Sequence, residues 1–313
     1  MAENGEHWER EVIEKLATAA LREQRRARAW GIFFKLLTFA YLTVIILLAV
    51  DWKAHTETRG RHTAVVEING LIAPAADASS EKIVAALNAA FKDKNTQGVV
   101  LRINSPGGSP VQAQTIYDEM RRLRRKYPQV PLYAVVEDLC ASGGYYAAVG
   151  ADRIYVSPAS IVGSIGVRMD GFGVTGLMEK LGIERRLLTA GDNKGMLDPF
   201  LPLDERHKEY AQTLMNEIHQ QFIAAVREGR GKRLKEAPEI FSGLIWSGQR
   251  SIELGLADAI GSLDHVAREV IKAEDIVDYT QKENIAEKFA RRFGVGVAAG
   301  LTEFAARMPA GLR

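Results

Sequence analysis

Apolar residues are laid out along this chain in two ways. From Trp30 to Val50 they run almost unbroken for about the 20 residues that span a bilayer, with only Lys35 near the start, where its side chain can snorkel to the headgroups. After His62 they come in short runs separated by polar turns. Thr63–Ile68, Gly98–Ile103, Pro131–Val136 and Arg153–Val156 read as strands. Ser80–Phe91 and Val111–Leu123 carry apolar residues at helical spacing, and a further helix opens near Ser142. Strands apolar on both faces, alternating with helices, predict the α/β class: a mostly parallel sheet covered by helices. Further on, the pattern predicts a short helix at Leu177–Leu181, a strand at Glu184–Leu188, a long helix from about Asp204 to Arg227, and a last strand and helix from Trp246.

This layout divides the chain into a charged tail (1–29), a transmembrane anchor (30–50), a polar tether (51–61), a folded domain (62–272) and a C-terminal tail (273–313). Five basic residues lie between Arg22 and Lys35, against Lys53, Arg59 and Arg61 beyond the span, so the N-terminus is expected in the cytoplasm and the domain outside. A cleaved signal peptide fits less well, since Ala49-Val50-Asp51-Trp52 lacks a small-x-small cleavage pattern. In the C-terminal tail Ile285, Phe289, Phe293, Leu301, Phe304 and Met308 recur at helical steps, which suits simple packing or disorder ahead of a membrane surface or a neighbouring subunit. A net charge of +2 over 313 residues gives no field to attract nucleic acid. The single cysteine, Cys140, excludes an intrachain disulfide, and its place two residues before Ser142 raises a cysteine nucleophile as an alternative.

The chemistry concentrates in glycine-rich turns. Ala141-Ser142-Gly143-Gly144-Tyr145-Tyr146 follows an apolar strand and opens a helix, where a serine can be a simple N-cap or a nucleophile with backbone N–H groups beside it. Asn104-Ser105-Pro106-Gly107-Gly108-Ser109 makes a similar strand-to-helix turn. In a parallel sheet both turns fall at the same end and can border one crevice. Tyr145 and Tyr146 could line an apolar pocket there or simply pack the helix.

These two turns, with Gly163-Ser164-Ile165-Gly166-Val167, the loop around Lys194, and Ser247-Gly248-Gln249 with Gly255-Leu256-Ala257-Asp258, resemble in order the signal peptide peptidase A family in its short form. These are serine peptidases of the ClpP/crotonase superfamily, and the likeness runs from about Thr63 to Ala267. It implies a ClpP/crotonase-like domain, Ser142 as nucleophile and Lys194 as general base. It further implies Ser164 orienting that base, and the N–H groups of Gly108 and Gly143 as the oxyanion hole. None of the six histidines lies in a glycine-rich motif, which speaks against a ClpP-like Ser-His-Asp triad. A lysine base needs its pKa brought well down from about 10.4. No metal or organic cofactor is implied. The family's short members form rings in which neighbouring subunits share each site. The expectation is therefore a membrane-anchored endopeptidase, a homo-oligomer at the outer face of a bacterial-type cytoplasmic membrane, acting on signal-peptide remnants and other short or unfolded peptides. A crotonase-like acyl-CoA enzyme and a noncatalytic membrane scaffold are the competing readings.

Overall fold

A computed structural model describes residues 3–49, 60–235 and 237–281. They fall into two units: a helix α1 (Glu3–Ala49), and a folded body bounded by Thr58 and Lys282. Along α1 the side chains of Trp30, Phe33, Phe34, Leu37 and Phe39 are exposed. Among the described residues no helix is long and apolar enough to cross a membrane. The expected span ends in residues 45–50, whose side chains lie outside the described residues, as do most of the tether and the C-terminal tail from residue 282.

The body is built on an eight-stranded sheet. Its centre is β1 (His62–Asn69), β2 (Thr96–Ser105) and β3 (Leu132–Ala141), all parallel. Side chains alternate between faces along each strand, and here both faces are apolar. Ala64, Val66, Val99, Leu101, Ala134 and Val136 join the larger core, which includes residues of α2 (Ser80–Lys92), α3 (Pro110–Lys126) and α4 (Gly143–Ala148). Val65, Val100, Val135 and Tyr155 point the other way, into a smaller core closed by Val266. The mostly parallel, helix-covered α/β sheet expected from the alternation is therefore present. Each fully buried aliphatic side chain contributes about 1.5–3 kcal/mol.

One edge of β3 is shared by two strands. Tyr133–Val135 pair with β4 (Arg153–Val156), whereas Leu139–Ala141 pair with β5 (Ile161–Gly163). The sheet forks at this point. On the β5 branch the antiparallel β6 (Ile245–Ser247) is added; on the β4 branch, the short β7 (Ala259–Ile260). The ends of β2, β3 and β5 are thereby brought together, which is where the predicted site residues lie.

Two boundaries differ from the sequence reading. The sheet continues past residue 272, because β8 (Ile276–Asp278) pairs with Thr63–Val65 on the outer edge of β1. Glu184–Leu188 is not a strand: among the described residues no strand pairs with it, and Leu188 is 97% exposed. It belongs to a stretch from Gly166 to Tyr210, including α5 (Thr175–Leu181) and the first residues of α6 (Glu205–Arg230), in which no residue is buried.

Candidate active site

Ser142 sits between the end of β3 and α4 with φ 51° and ψ −122°, a conformation that costs a non-glycine residue roughly 1–3 kcal/mol. Its surroundings hold it there. The Ser142 N–H donates to the Gly163 carbonyl at 2.8 Å, and its own carbonyl accepts from the Tyr146 N–H at 2.9 Å, starting the helix. The side chain makes no capping hydrogen bond. Ser142 thus has the position of an N-cap without doing its work, which separates the two readings that the hexapeptide left open. A hydroxyl on a sharp strand-to-helix turn is presented outward, as a nucleophile requires.

The Gly107-Gly108 turn lies directly against it. A Cβ placed on Gly107 would be 2.6 Å from the Gly143 nitrogen and 2.8 Å from the Ser142 Cβ; one on Gly143 would be 3.2 Å from the Gly108 nitrogen. The two N–H groups named as an oxyanion pair are therefore neighbours beside the serine. The first N–H groups of a helix have no intrahelical acceptor, and Gly143 is the first residue of α4. On the other turn, Ile72 N–H donates to Gly107 C=O and Ser109 N–H donates to Ile72 C=O, while Gly108 N–H donates to no backbone carbonyl among the described residues. Donors so arranged can stabilise an oxyanion on an acyl carbon attached to Ser142.

The cleft over these groups is walled by Gly108, Ser142, Gly143 and Tyr146 from the sheet side and by Ile218 and Phe222 of α6 from the other. The α6 contribution was missed from the sequence. Ile218, Gln221 and Phe222 stand at helical steps i, i+3 and i+4, a signal that was present but looked like an ordinary amphipathic helix. The two tyrosines divide between the two roles considered. Tyr145 is fully buried and donates its hydroxyl to Leu256 C=O at 2.8 Å, so it is packing. Tyr146 stacks on Phe222 with ring centroids 4.9 Å apart and forms part of the cleft wall. Burial raises the pKa of both phenols. Cys140 is fully buried in the core and burial pushes its thiol well above the ordinary range, so it is no nucleophile.

Lys194 is not part of this cleft. It lies on an exposed turn, its N–H donating to Gly191 C=O at 3.1 Å, and its ammonium makes no hydrogen bond or ion pair among the described residues. Ser164 follows β5 with φ 52°, its N–H donating to Leu244 C=O at 2.7 Å. His219 Nε2 lies 3.0 Å from Ile165 C=O, engaged with backbone rather than with Ser142. A roomier cavity lined by Arg102, Glu137, Ser157 and Asp264 contains none of the predicted residues, so size alone would misplace the site.

A strained serine facing paired glycine amides at a sheet fork is the arrangement of a serine acyl-transfer enzyme. Comparison with known proteins gives the family. Residues 124–277 match the profile of peptidase family S49, and residues 65–153 that of Clp protease. The protein slr0021 of Synechocystis sp., named as a protease, is 31% identical over 67% of this chain and 73% of its own length. MJ0651 of Methanocaldococcus jannaschii, also named as a protease, is 36% identical over 62% of this chain and 63% of its own. A Na(+)/H(+) antiporter NhaA of Brucella melitensis is 46% identical, but over 56% of this chain and 24% of the antiporter. The chain thus spans a quarter of that relative and less than two thirds of MJ0651. The chain belongs to peptidase family S49. Family membership sets aside the acyl-CoA reading.

Proposed function

We propose that the protein is a membrane-anchored endopeptidase that cleaves signal-peptide remnants and other short or unfolded peptides through an ester on Ser142. Lys194 takes the hydroxyl proton and returns it to the leaving amine; Ser164 orients the lysine, and Gly108 and Gly143 N–H hold the oxyanion. The observation that carries this reading is the strained, uncapped Ser142 packed against the Gly107-Gly108 turn.

The base is supplied by a neighbouring copy in a homo-oligomeric ring. Lys194 stands outside the cleft, in a stretch without one buried residue that exposes Phe172, Leu177, Leu181 and Leu188. Such a surface is what a second copy would cover. Anchoring rests on the apolar run Trp30–Val50 and the basic cluster before it, which put the domain at the outer face of a bacterial-type cytoplasmic membrane. A peptidase named as a signal peptide peptidase in Enterococcus faecium is 29% identical over 69% of this chain, which supports the substrate class. The test is complementation. Ser142→Ala and Lys194→Ala proteins are each inactive alone, and co-assembled rings regain a fraction of wild-type hydrolysis; no recovery in mixed rings overturns the shared site.

A further inference from the structure

We infer that Ser105 is a positioning residue for the oxyanion turn. The inference rests on the acyl-transfer reading of Ser142, and it concerns a hydroxyl to which no part of that chemistry gives a role.

Ser105 is the last residue of β2 and is fully buried. Its Oγ donates to Gly70 C=O at 2.6 Å and accepts from Gly107 N–H at 3.1 Å. A serine hydroxyl has one proton to give, and here it is given to one turn while a lone pair serves another. The two turns it joins are otherwise linked only through backbone groups among the described residues. Gly70 N–H donates to Asn104 C=O at 2.9 Å, Ile72 N–H to Gly107 C=O at 2.8 Å, and Ser109 N–H to Ile72 C=O at 2.8 Å. Gly108 is pressed so closely on this clamp that a Cβ there would lie 2.0 Å from Ile72 O. The direction of the Gly108 N–H is therefore set by the peptide planes on either side of Gly107, and the Ser105 hydroxyl fixes the first of them. Gly107 and Gly108 have φ 99° and 146°, so the turn has the conformational freedom to swing once released. In Asn104-Ser105-Pro106-Gly107-Gly108 the serine is the side chain that ties the turn down.

Ser105→Ala leaves the buried Gly107 N–H and the half-buried Gly70 C=O without this partner, and the turn relaxes to recover them. The transition state then loses part of a contact that the ground state does not make. In the full chain, with rates normalised to the sites titrated by a fluorophosphonate so that only folded protein counts, Ser105→Ala lowers kcat on a peptide ester by about tenfold or more, below the full loss of a donor. KM stays within about twofold. Affinity for a peptide boronate, which forms a tetrahedral adduct on Ser142, falls by the same factor as kcat, and affinity for the product peptide is unchanged. Ser105→Cys, which keeps a weak donor and acceptor on a somewhat larger atom, falls between wild type and Ser105→Ala. The proposal is overturned if Ser105→Ala keeps kcat within twofold, if product and boronate affinities fall together, or if Ser105→Cys is as slow as Ser105→Ala. Hydrolysis that survives in Ser142→Ala would instead strike the underlying reading, so the two failures are distinguishable.

Discussion

The end of β3 and the stretch from Gly166 to Tyr210 carry the two halves of the proposed dyad, and they are built by opposite rules. Around Ser142 the backbone is fixed by the sheet: β2 and β5 flank the end of β3, α4 starts from it, and residues from Gly143 to Ala148 are all buried. Around Lys194 there is no core, and Leu188, Phe172 and Leu181 face outward. The proposed nucleophile and oxyanion hole are thus preorganised within one chain, whereas the proposed base stands on a stretch with no buried residue. Coupling catalysis to assembly in this way would keep an isolated peptidase subunit inert.

That contrast can be broken from either side. The largest effect is expected at the rigid half: Gly108→Ala forces a Cβ onto Ile72 O and displaces the oxyanion donor, lowering kcat by about 10²–10³ in steady-state hydrolysis. Next come paired stability measurements. Leu101→Ala, in the larger core, costs about 2–5 kcal/mol of unfolding free energy, whereas Leu188→Ser costs within about 0.5 kcal/mol yet lowers the assembly state seen by sedimentation. Equal stability losses would show that the exposed stretch packs within its own chain.

The smallest effect sharpens the description of the rigid half. Asp258 accepts hydrogen bonds from Arg230 at 2.8 Å, Arg233 at 3.1 Å and Ile154 N–H at 2.7 Å. Burial alone would raise its pKa, but the Arg230 hydrogen bond and charge, with help from Ile154 and Arg233, hold it below the ordinary carboxylate range. Its folded pKa being lower than its unfolded one, its contribution is complete above the unfolded value of about 3.9 and is lost as pH falls through the folded value. Wild type should therefore lose stability below about pH 4 more steeply than Asp258→Asn, which is less stable at neutral pH because Arg230 is left buried without its counter-charge. Parallel acid unfolding curves would count against this role.

Much of this was legible in the sequence because the central strands are buried on both faces, so Val65–Val66 or Val99–Val100 read as continuous apolar runs. The glycine turns were legible for a similar reason: few residues other than glycine accept the backbone of Gly107 and Gly108. The fork was not legible, since nothing in Leu132–Ala141 says that its two halves take different partners. Nor was β8, three residues long and recognisable only by its pairing. Glu184–Leu188 failed for another reason: Glu-Arg-Arg-Leu-Leu has no β-branched or aromatic residue to favour a strand, and among the described residues no strand pairs with it. The wall supplied by Ile218 and Phe222 was hidden because a cleft-facing and a core-facing helical stripe have the same spacing.

The most direct measurement is the site of covalent labelling. A fluorophosphonate added to the assembled protein at mildly alkaline pH, followed by peptide mapping, should place the adduct on the Ser142 hydroxyl, with the labelling rate falling at least about a hundredfold in Lys194→Ala. An adduct on any other residue, or a Lys194→Ala protein labelled at the wild-type rate, would contradict the dyad.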